Sequence, residues 1–313
     1  MSRRITFLFP GQGAQTMGMG RLLYEEGSGE VRAVFDQACE ALGYDLRHIM
    51  FEGPEETLLQ TVHTQPAILV HSVAVAVALG AAGVRPDFAA GHSLGEYSAL
   101  VVGGALSLAD ALKVVQVRAE SMQAAGEARP GAMSAVMGLG PDEVRAACRR
   151  AGKVGIVQPA NYNAPDQIVI SGQRAAVEAA GAACREAGAK RVIPLKVHGA
   201  FHSPLMESAV EPVRQALRQI TVGSSAIPVV SNVTARPAVR PEEIRELLGL
   251  QIVYPVRWAE SMQELDRMGT TRWVESGPGS VLRGLLKRSV PGAVSSGAGG
   301  PEEIAAVVET ASA

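Results

Sequence analysis

Apolar residues first cluster at Ile5-Thr6-Phe7-Leu8-Phe9, and Pro10-Gly11 ends the run. A continuous apolar stretch of this length between turn residues predicts a short buried strand. Ahead of it stand Arg3 and Arg4, and the apolar run is too short for a secretory leader. The longest apolar run, Ala67 to Val84, is rich in alanine and contains His71 and Ser72. It predicts a buried helix rather than a membrane span, starting near Ala67 with Pro66 in its first turn. Phe88-Ala89-Ala90 is a strand of weak propensity. From Ser107 to about Gly126, Leu108, Leu112, Val115, Ala119 and Met122 form one stripe, with Asp110, Lys113 and Glu120 opposite. This is an amphipathic helix. At about 100° per residue, Arg118 falls just off the edge of its stripe, where a stem can be buried and a guanidinium brought to a cleft wall.

From about Ala128 the pattern changes. Ala132 to Met137 predicts a strand, Pro141 to Arg150 a helix, and Val154-Gly155-Ile156-Val157 and Gln167-Ile168-Val169-Ile170 two strands joined by the turn residues Asn163-Ala164-Pro165-Asp166. A helix from Ala175 to about Ala187 and a strand at Val192-Ile193-Pro194-Leu195 follow. The order β-α-β-β-α-β is that of the ferredoxin-like unit, whose ends lie close together and which can therefore sit as an insertion. The expected organisation is one domain formed by 1–127 and 199–313, with 128–198 inserted in it. After the insertion come a helix to about Gln219, a strand at Pro228 to Asn232 and a second helix after Trp258. Thr271 to Glu275 is expected to be the last strand. Pro291 to Gly300 reads as a linker of small residues and Pro301 to about Glu309 as a short terminal helix.

Composition narrows the class. The 313 residues are 47% hydrophobic but only 4% aromatic, so a sizeable core must be built mostly of Ala, Val and Leu. A net charge of −2 argues against a nucleic-acid binder that relies on bulk charge. The three cysteines, Cys39, Cys148 and Cys184, are odd in number and lack metal spacing. They imply a reduced, cytoplasmic protein without structural zinc, and they read as packed thiols. His48, His63, His71 and His198 read as structural or exposed.

Chemistry enters at Gly91-His92-Ser93-Leu94-Gly95. Gly-x-Ser-x-Gly is the pattern of a sharp strand-to-helix turn that exposes a serine at its tip, its glycines sitting where a Cβ would collide. The N–H of Leu94 points into the same space and can hold an oxyanion. The same residues also fit a plain capping box, Ser93 to Glu96, so nucleophile and cap are both open on this pattern alone. Pro10-Gly11-Gln12-Gly13-Ala14-Gln15 is not a phosphate loop. It lacks Gly-Lys-Ser/Thr, and Thr16 stands where Gly-x-Gly-x-x-Gly needs its third glycine. It still sets backbone N–H groups at the end of a strand, where ligands bind in open α/β sheets.

Six stretches in order carry a resemblance: Phe9 to Gln15, Gly91 to Leu100, Gln116-Val117-Arg118, Ala160-Asn161-Tyr162-Asn163, Ala200-Phe201-His202-Ser203 and Glu275 to Gly279. Together they resemble the malonyl-CoA:acyl carrier protein transacylases and the acyltransferase domains of fatty acid and polyketide synthases, over nearly the whole chain to about Arg288. The resemblance implies an α/β-hydrolase-like large domain with a mostly parallel sheet, carrying an inserted ferredoxin-like small domain. It implies Ser93 as nucleophile, His202 as general base, and Arg118 as the grip on a malonyl carboxylate. The N–H groups of Gln12 and Leu94 become the oxyanion hole, and the backbone carbonyl of Gln251 orients the histidine. His92 and Asn161 support the site, and Phe201 crowds an α-methyl group. One local departure is Gln251-Ile252-Val253-Tyr254-Pro255, where the family often has Gln-Leu-Tyr-x-Pro. The implied partners are malonyl-CoA and an acyl carrier protein that brings its own phosphopantetheine. No metal, cofactor, nucleic acid or membrane is called for, and a monomer suffices. Lys190-Arg191 and Lys287-Arg288 are candidate docking charges for an acidic carrier, against the plainer reading of solvated faces. Competing functions are a serine esterase, which would need no Arg118, a non-catalytic carrier-holding subunit, and the same chemistry serving a polyketide or malonate decarboxylase system.

Overall fold

The computed structural model describes residues 3–197 and 199–312, so His198 lies outside the described residues. The strands are β1 Ile5–Phe9, β2 Phe88–Gly91, β3 Ala132–Met137, β4 Val157–Ala164, β5 Gln167–Gly172, β6 Arg191–Pro194, β7 Val229–Val230, β8 Pro237–Ala238, β9 Arg272–Ser276 and β10 Ser295–Ala298. They form a six-stranded sheet in the order β10-β9-β1-β2-β7-β8 and a four-stranded sheet in the order β4-β5-β3-β6. The larger sheet is parallel except for β8. The smaller one is antiparallel throughout.

β1 runs through the middle of the larger sheet, which explains its unbroken apolar run. Phe7 and Phe9 enter one core and Leu8 the other, on the opposite face beside Trp258, Trp273 and Leu282. β1 and β2 pair in parallel with Phe9 opposite Gly91. The loop after Phe9 and the turn after Gly91 therefore leave the same edge of the sheet side by side. A glycine is needed twice at that turn. A Cβ on Gly91 would lie 1.8 Å from the Gly95 carbonyl carbon, and one on Gly95 would lie 2.1 Å from the Phe9 oxygen.

Four expectations are corrected. The long apolar helix spans Thr61–Ala81, six residues earlier than expected, with Pro66 inside it rather than in its first turn. The proline forgoes one intrahelical bond, but Thr64, Gln65 and Pro66 are all buried there, and packing outweighs the loss. This helix is long and apolar enough to cross a membrane, yet 72% of its apolar window is buried inside the protein. In the small sheet, the strand expected at Val154 to Val157 begins only at Val157 and runs through Asn161 and Asn163. Those polar residues lie on a strand with two register shifts, which an alternation rule reads as loop. The linker expected at 291–300 contains β10, so β9 is not the last strand. Ser295-Ser296-Gly297-Ala298 has little strand propensity and is held by parallel pairing to β9. Finally, β7 is only Val229–Val230, which leaves Asn232 just beyond the sheet.

The crowding at the turn leads to a first prediction. Gly91→Ala and Gly95→Ala should each lower stability by at least about 1–3 kcal/mol in denaturant unfolding, because backbone atoms rather than flexible side chains stand in the way. Gly80→Ala in the long helix, which meets nothing within 4 Å, is the control and should be neutral or slightly stabilising. Equal behaviour of the three variants would contradict the packing argument.

Candidate active site

Gly91 ends β2, and the helix Gly95–Val102 begins four residues on. Between them Ser93 takes φ 52°, a left-handed backbone rare for a residue with a side chain. Such a residue costs about 1–3 kcal/mol and needs support from around it. Asn232 supplies that support. Its Oδ1 accepts from the Ser93 N–H at 2.7 Å, and its Nδ2 donates to the Gly91 carbonyl at 2.7 Å. The capping box is not formed, since the helix has no side-chain cap and the Ser93 hydroxyl faces elsewhere.

That hydroxyl lies 2.8 Å from His202 Nε2, and His202 Nδ1 lies 2.8 Å from the Gln251 carbonyl oxygen. A carbonyl only accepts, so Nδ1 carries the proton and Nε2 is left bare to accept from Ser93. His202 itself sits at φ 55° and its carbonyl is held by Gln158 Nε2 at 2.9 Å. The departure from Gln-Leu-Tyr-x-Pro after Gln251 does not move its carbonyl out of reach of the histidine. Burial first, and the Arg118 charge second, push the His202 imidazole down to about 3, against the pull of its bond to Gln251. Ser93 therefore faces a neutral imidazole across the ordinary pH range.

Arg118 comes from the helix Leu108–Ala128 and is 1% exposed. The helix pattern placed it at a stripe edge with its guanidinium at a cleft wall; it lines the cavity there, enclosed by Gln65, Ser93, Tyr97 and Gln251. Its Nη2 donates to Ser93 Oγ at 3.0 Å and to Gln251 Oε1 at 2.9 Å, and its Nη1 donates to Gln65 Oε1 at 2.7 Å. Its carbon lies 5.7 Å from the Tyr97 ring centroid. Among the described residues, no carboxylate forms an ion pair with it, so it is a buried cation tied down by neutral acceptors.

A cavity of about 250 Å³ opens beside Ser93, and its lining includes Gln12, Leu94, Arg118, Asn161, Phe201 and His202. Among the described residues, the backbone N–H groups of Gln12 and Leu94 have no hydrogen-bond partner. Gly11 has no room for a side chain, since a Cβ would lie 2.4 Å from the His92 carbonyl oxygen, so the Gln12 loop presses against the Ser93 turn. His92 Nε2 pairs with Asn163 Oδ1 at 2.8 Å, and Asn161 is 6% exposed at the cavity wall. The Glu275 motif acts indirectly. Its carboxylate accepts from the N–H groups of Leu282 and Arg283 at 2.9 and 3.0 Å, anchoring the helix Val281–Ser289 that supplies Leu282 and Leu285 to the cavity.

All nine residues singled out from sequence gather here. Sequence reasoning missed Gln65, Glu96, Gln158, Asn163 and Asn232. The available signal was polarity in apolar surroundings: Gln65 and Glu96 stand in stretches that are otherwise almost fully buried. Of the other groups, His71 is buried and its imidazole is pushed down to about 4 by desolvation, and burial raises the Cys148 and Cys184 thiols. Arg288 is engaged by Asp166 and Gln167 of the small sheet's hairpin, which removes it as a free docking charge.

With this geometry in place, similarity decides the family. Residues 6–299 match the model of the acyl transferase domain. The chain belongs to the acyl transferase family. It is 45% identical over 286 residues to the malonyl CoA-acyl carrier protein transacylase of Bacillus subtilis, covering 91% of this chain and 90% of that one. It is 41% identical over 309 residues to the Escherichia coli K12 protein of the same name, covering 98% and 99%. Among solved structures it superposes with a TM-score of 0.94 on the malonyl CoA-acyl carrier protein transacylase of Coxiella burnetii, at 38% identity over 98% of this chain and 97% of that one. A TM-score of 0.94 at 38% identity, over 98% and 99% of the two chains, is also found with a malonyl-transacylase solved in complex with its type II PKS acyl-carrier protein.

The neutral imidazole gives a pH prediction. Acylation of Ser93 by a neutral ester such as p-nitrophenyl acetate should stay nearly constant from about pH 8 down to about pH 5 and fall only below that, as protonation disables the base. A rate that halves near pH 6.5, the approximate ordinary histidine value, would show that His202 is not held in this desolvated, cation-facing state.

Proposed function

We propose that this acyltransferase moves the malonyl group from malonyl-CoA to the phosphopantetheine thiol of an acyl carrier protein, supplying fatty acid synthesis. The observation that carries the reading is the Arg118 guanidinium, 3.0 Å from Ser93 Oγ and without a carboxylate partner of its own among the described residues. An esterase would have no use for a buried cation at its nucleophile. The family and the named activity of the relatives point the same way.

In the proposed first half-reaction, Ser93 Oγ attacks the thioester carbonyl while His202 Nε2 takes its proton. The oxyanion is received by the N–H groups of Gln12 and Leu94, one such donor being worth about 3–4 kcal/mol. The C–S bond then breaks, and the CoA sulfur leaves with the proton from His202. In the second half, the carrier's thiol gives its proton to His202 and attacks the malonyl-serine ester, and Ser93 recovers its proton as it departs. The Gln251 carbonyl holds the His202 tautomer throughout, in the place where a carboxylate often stands. Arg118 exchanges its bond to the serine hydroxyl for the malonyl carboxylate, which it can take in a planar fork. Phe201, buried beside His202, limits the room for an α-methyl group. No metal or cofactor belonging to the enzyme enters the scheme.

The same proposal covers organisation. Residues 1–127 and 199–313 form an α/β-hydrolase-like catalytic domain and 128–198 a ferredoxin-like insertion, a description supported by the order β4-β5-β3-β6 in the small sheet. Because Ser93, His202, Arg118 and Gln251 all come from one chain, a monomer is sufficient. The buried long helix and the unpaired cysteines suit a cytoplasmic protein.

Incubation with malonyl-CoA, followed by intact mass, should show one malonyl adduct on the wild type and none on Ser93→Ala. A full adduct on that variant would place the ester elsewhere. Arg118→Ala should lose malonyl transfer by orders of magnitude and gain relative acetyl transfer, with little recovery in Arg118→Lys, which lacks the fork. Transfer kinetics with both acyl-CoAs decide this, and an unchanged preference for malonyl would remove Arg118 as the carboxylate's partner.

A further inference from the structure

Glu96 is a buried carboxylate hydrogen-bonded to Gln251 of this machinery, and the reaction scheme does not use it. It lies in the first turn of the helix Gly95–Val102 and is 3% exposed. Its Oε2 accepts from Gln251 Nε2 at 2.6 Å and from the Asn232 N–H at 3.2 Å. The Gln251 side chain spends its second N–H on the Ser93 carbonyl at 3.0 Å, which leaves Oε1 facing Arg118 Nη2 at 2.9 Å. Asn232 is in turn the residue that holds the Ser93 N–H.

We propose that Glu96 is a positioning residue for malonyl transfer: its carboxylate locks the Gln251 amide so that the amide oxygen faces Arg118 and keeps the guanidinium aimed at the substrate's carboxylate. The argument rests on which atoms can donate. Glu96 Oε2 already accepts from the Asn232 N–H, and an oxygen in that role can only accept from Gln251 as well, so the Gln251 NH₂ must point at it. Turning that amide over would set NH₂ against the guanidinium and oxygen against both Glu96 and the Ser93 carbonyl, three repulsions in place of three bonds. A glutamine at 96 could make the same bonds, but two facing amides can turn over together without losing their mutual contact, and Arg118 would then meet a donor. Keeping a charge here is costly. Burial pushes the Glu96 carboxyl up to about 7, and bonds from Gln251, Asn232 and Ser231, with the Arg118 charge, pull the other way. A residue needed only to cap the helix would not require it.

This inference rests on the proposed malonyl transfer, and its test separates the two. Steady-state transfer from malonyl-CoA and from acetyl-CoA would be measured for wild type, Glu96→Gln and Glu96→Asp, alongside thermal unfolding. Failure of the wild type to acquire a malonyl adduct would count against the function, whatever Glu96 does. Given that adduct, Glu96→Gln should lose about tenfold in kcat/KM for malonyl-CoA, the size of one lost hydrogen bond to a charged group, chiefly through KM, with acetyl-CoA transfer little changed. Glu96→Asp keeps the charge, gives up one methylene of reach and should fall between the two. A malonyl-to-acetyl ratio that stays at the wild-type value in Glu96→Gln, or an equal loss on both substrates, would overturn the proposal. If Glu96→Gln does not fold, an unchanged ratio in Glu96→Asp overturns it and a lowered one supports it.

Discussion

Two parallel strands ending in register set up everything else in this molecule. Because Phe9 lies opposite Gly91, the Gln12 loop and the Ser93 turn leave the sheet together. They can approach closely only because Gly11, Gly91 and Gly95 lack side chains, each facing backbone at distances no Cβ tolerates. The close approach is what turns two unrelated N–H groups, of Gln12 and Leu94, into neighbours on one cavity wall. It also forces Ser93 into its left-handed backbone, and so creates the need for Asn232 from the far end of β7. The strain is local, and the support comes from a residue 139 positions away. The turn is therefore a property of the assembled sheet and not of its five residues.

The second constraint is charge. A guanidinium buried to 1% exposure is expensive unless its donors are met, and here two glutamine side-chain oxygens and a serine hydroxyl meet Nη1 and Nη2, while Nε has no partner among the described residues. Neutral acceptors cover part of the desolvation cost without cancelling the charge. The fork stays available to an incoming anion, which a carboxylate partner would have neutralised. The same charge, with burial, keeps His202 unprotonated, so one cation serves both recognition and the state of the base.

Much of this was legible in the chain, and the limits are instructive. The glycine-flanked serine and the apolar run of β1 could be read because they are local: steric need and period act within a few residues. The order of elements in 128–198 was readable for the same reason, although β4 was displaced because it carries Asn161 and Asn163 and two register shifts in place of a regular apolar alternation. β10 was unreadable, since Ser-Ser-Gly-Ala becomes a strand only through β9. Gln65, Glu96 and Asn232 were missed because each acts across more than fifty residues, through hydrogen bonds that leave no periodic trace. His202, Gln251 and Arg118 fell into place through motif resemblance, and the spacing of those residues alone did not assign them roles.

That a backbone carbonyl rather than an acidic third member stands beside His202 among the described residues follows from these same distances. In a serine–histidine pair the partner of Nδ1 must fix the tautomer, and a carboxylate would do so while also stabilising the imidazolium. Here Gln251 carries out two tasks: its backbone oxygen faces His202 at 2.8 Å and its side-chain oxygen faces Arg118 at 2.9 Å. A carboxylate at this position would be drawn onto the guanidinium, forming an ion pair that competes with the substrate's own carboxylate and pulls support away from the histidine. A backbone carbonyl cannot be captured in that way, because its position is set by the chain. The acidic group instead stands one amide further back, at Glu96, where it can orient Gln251 without touching Arg118. A buried cation beside the nucleophile and a neutral carbonyl behind the base are thus two sides of one electrostatic requirement.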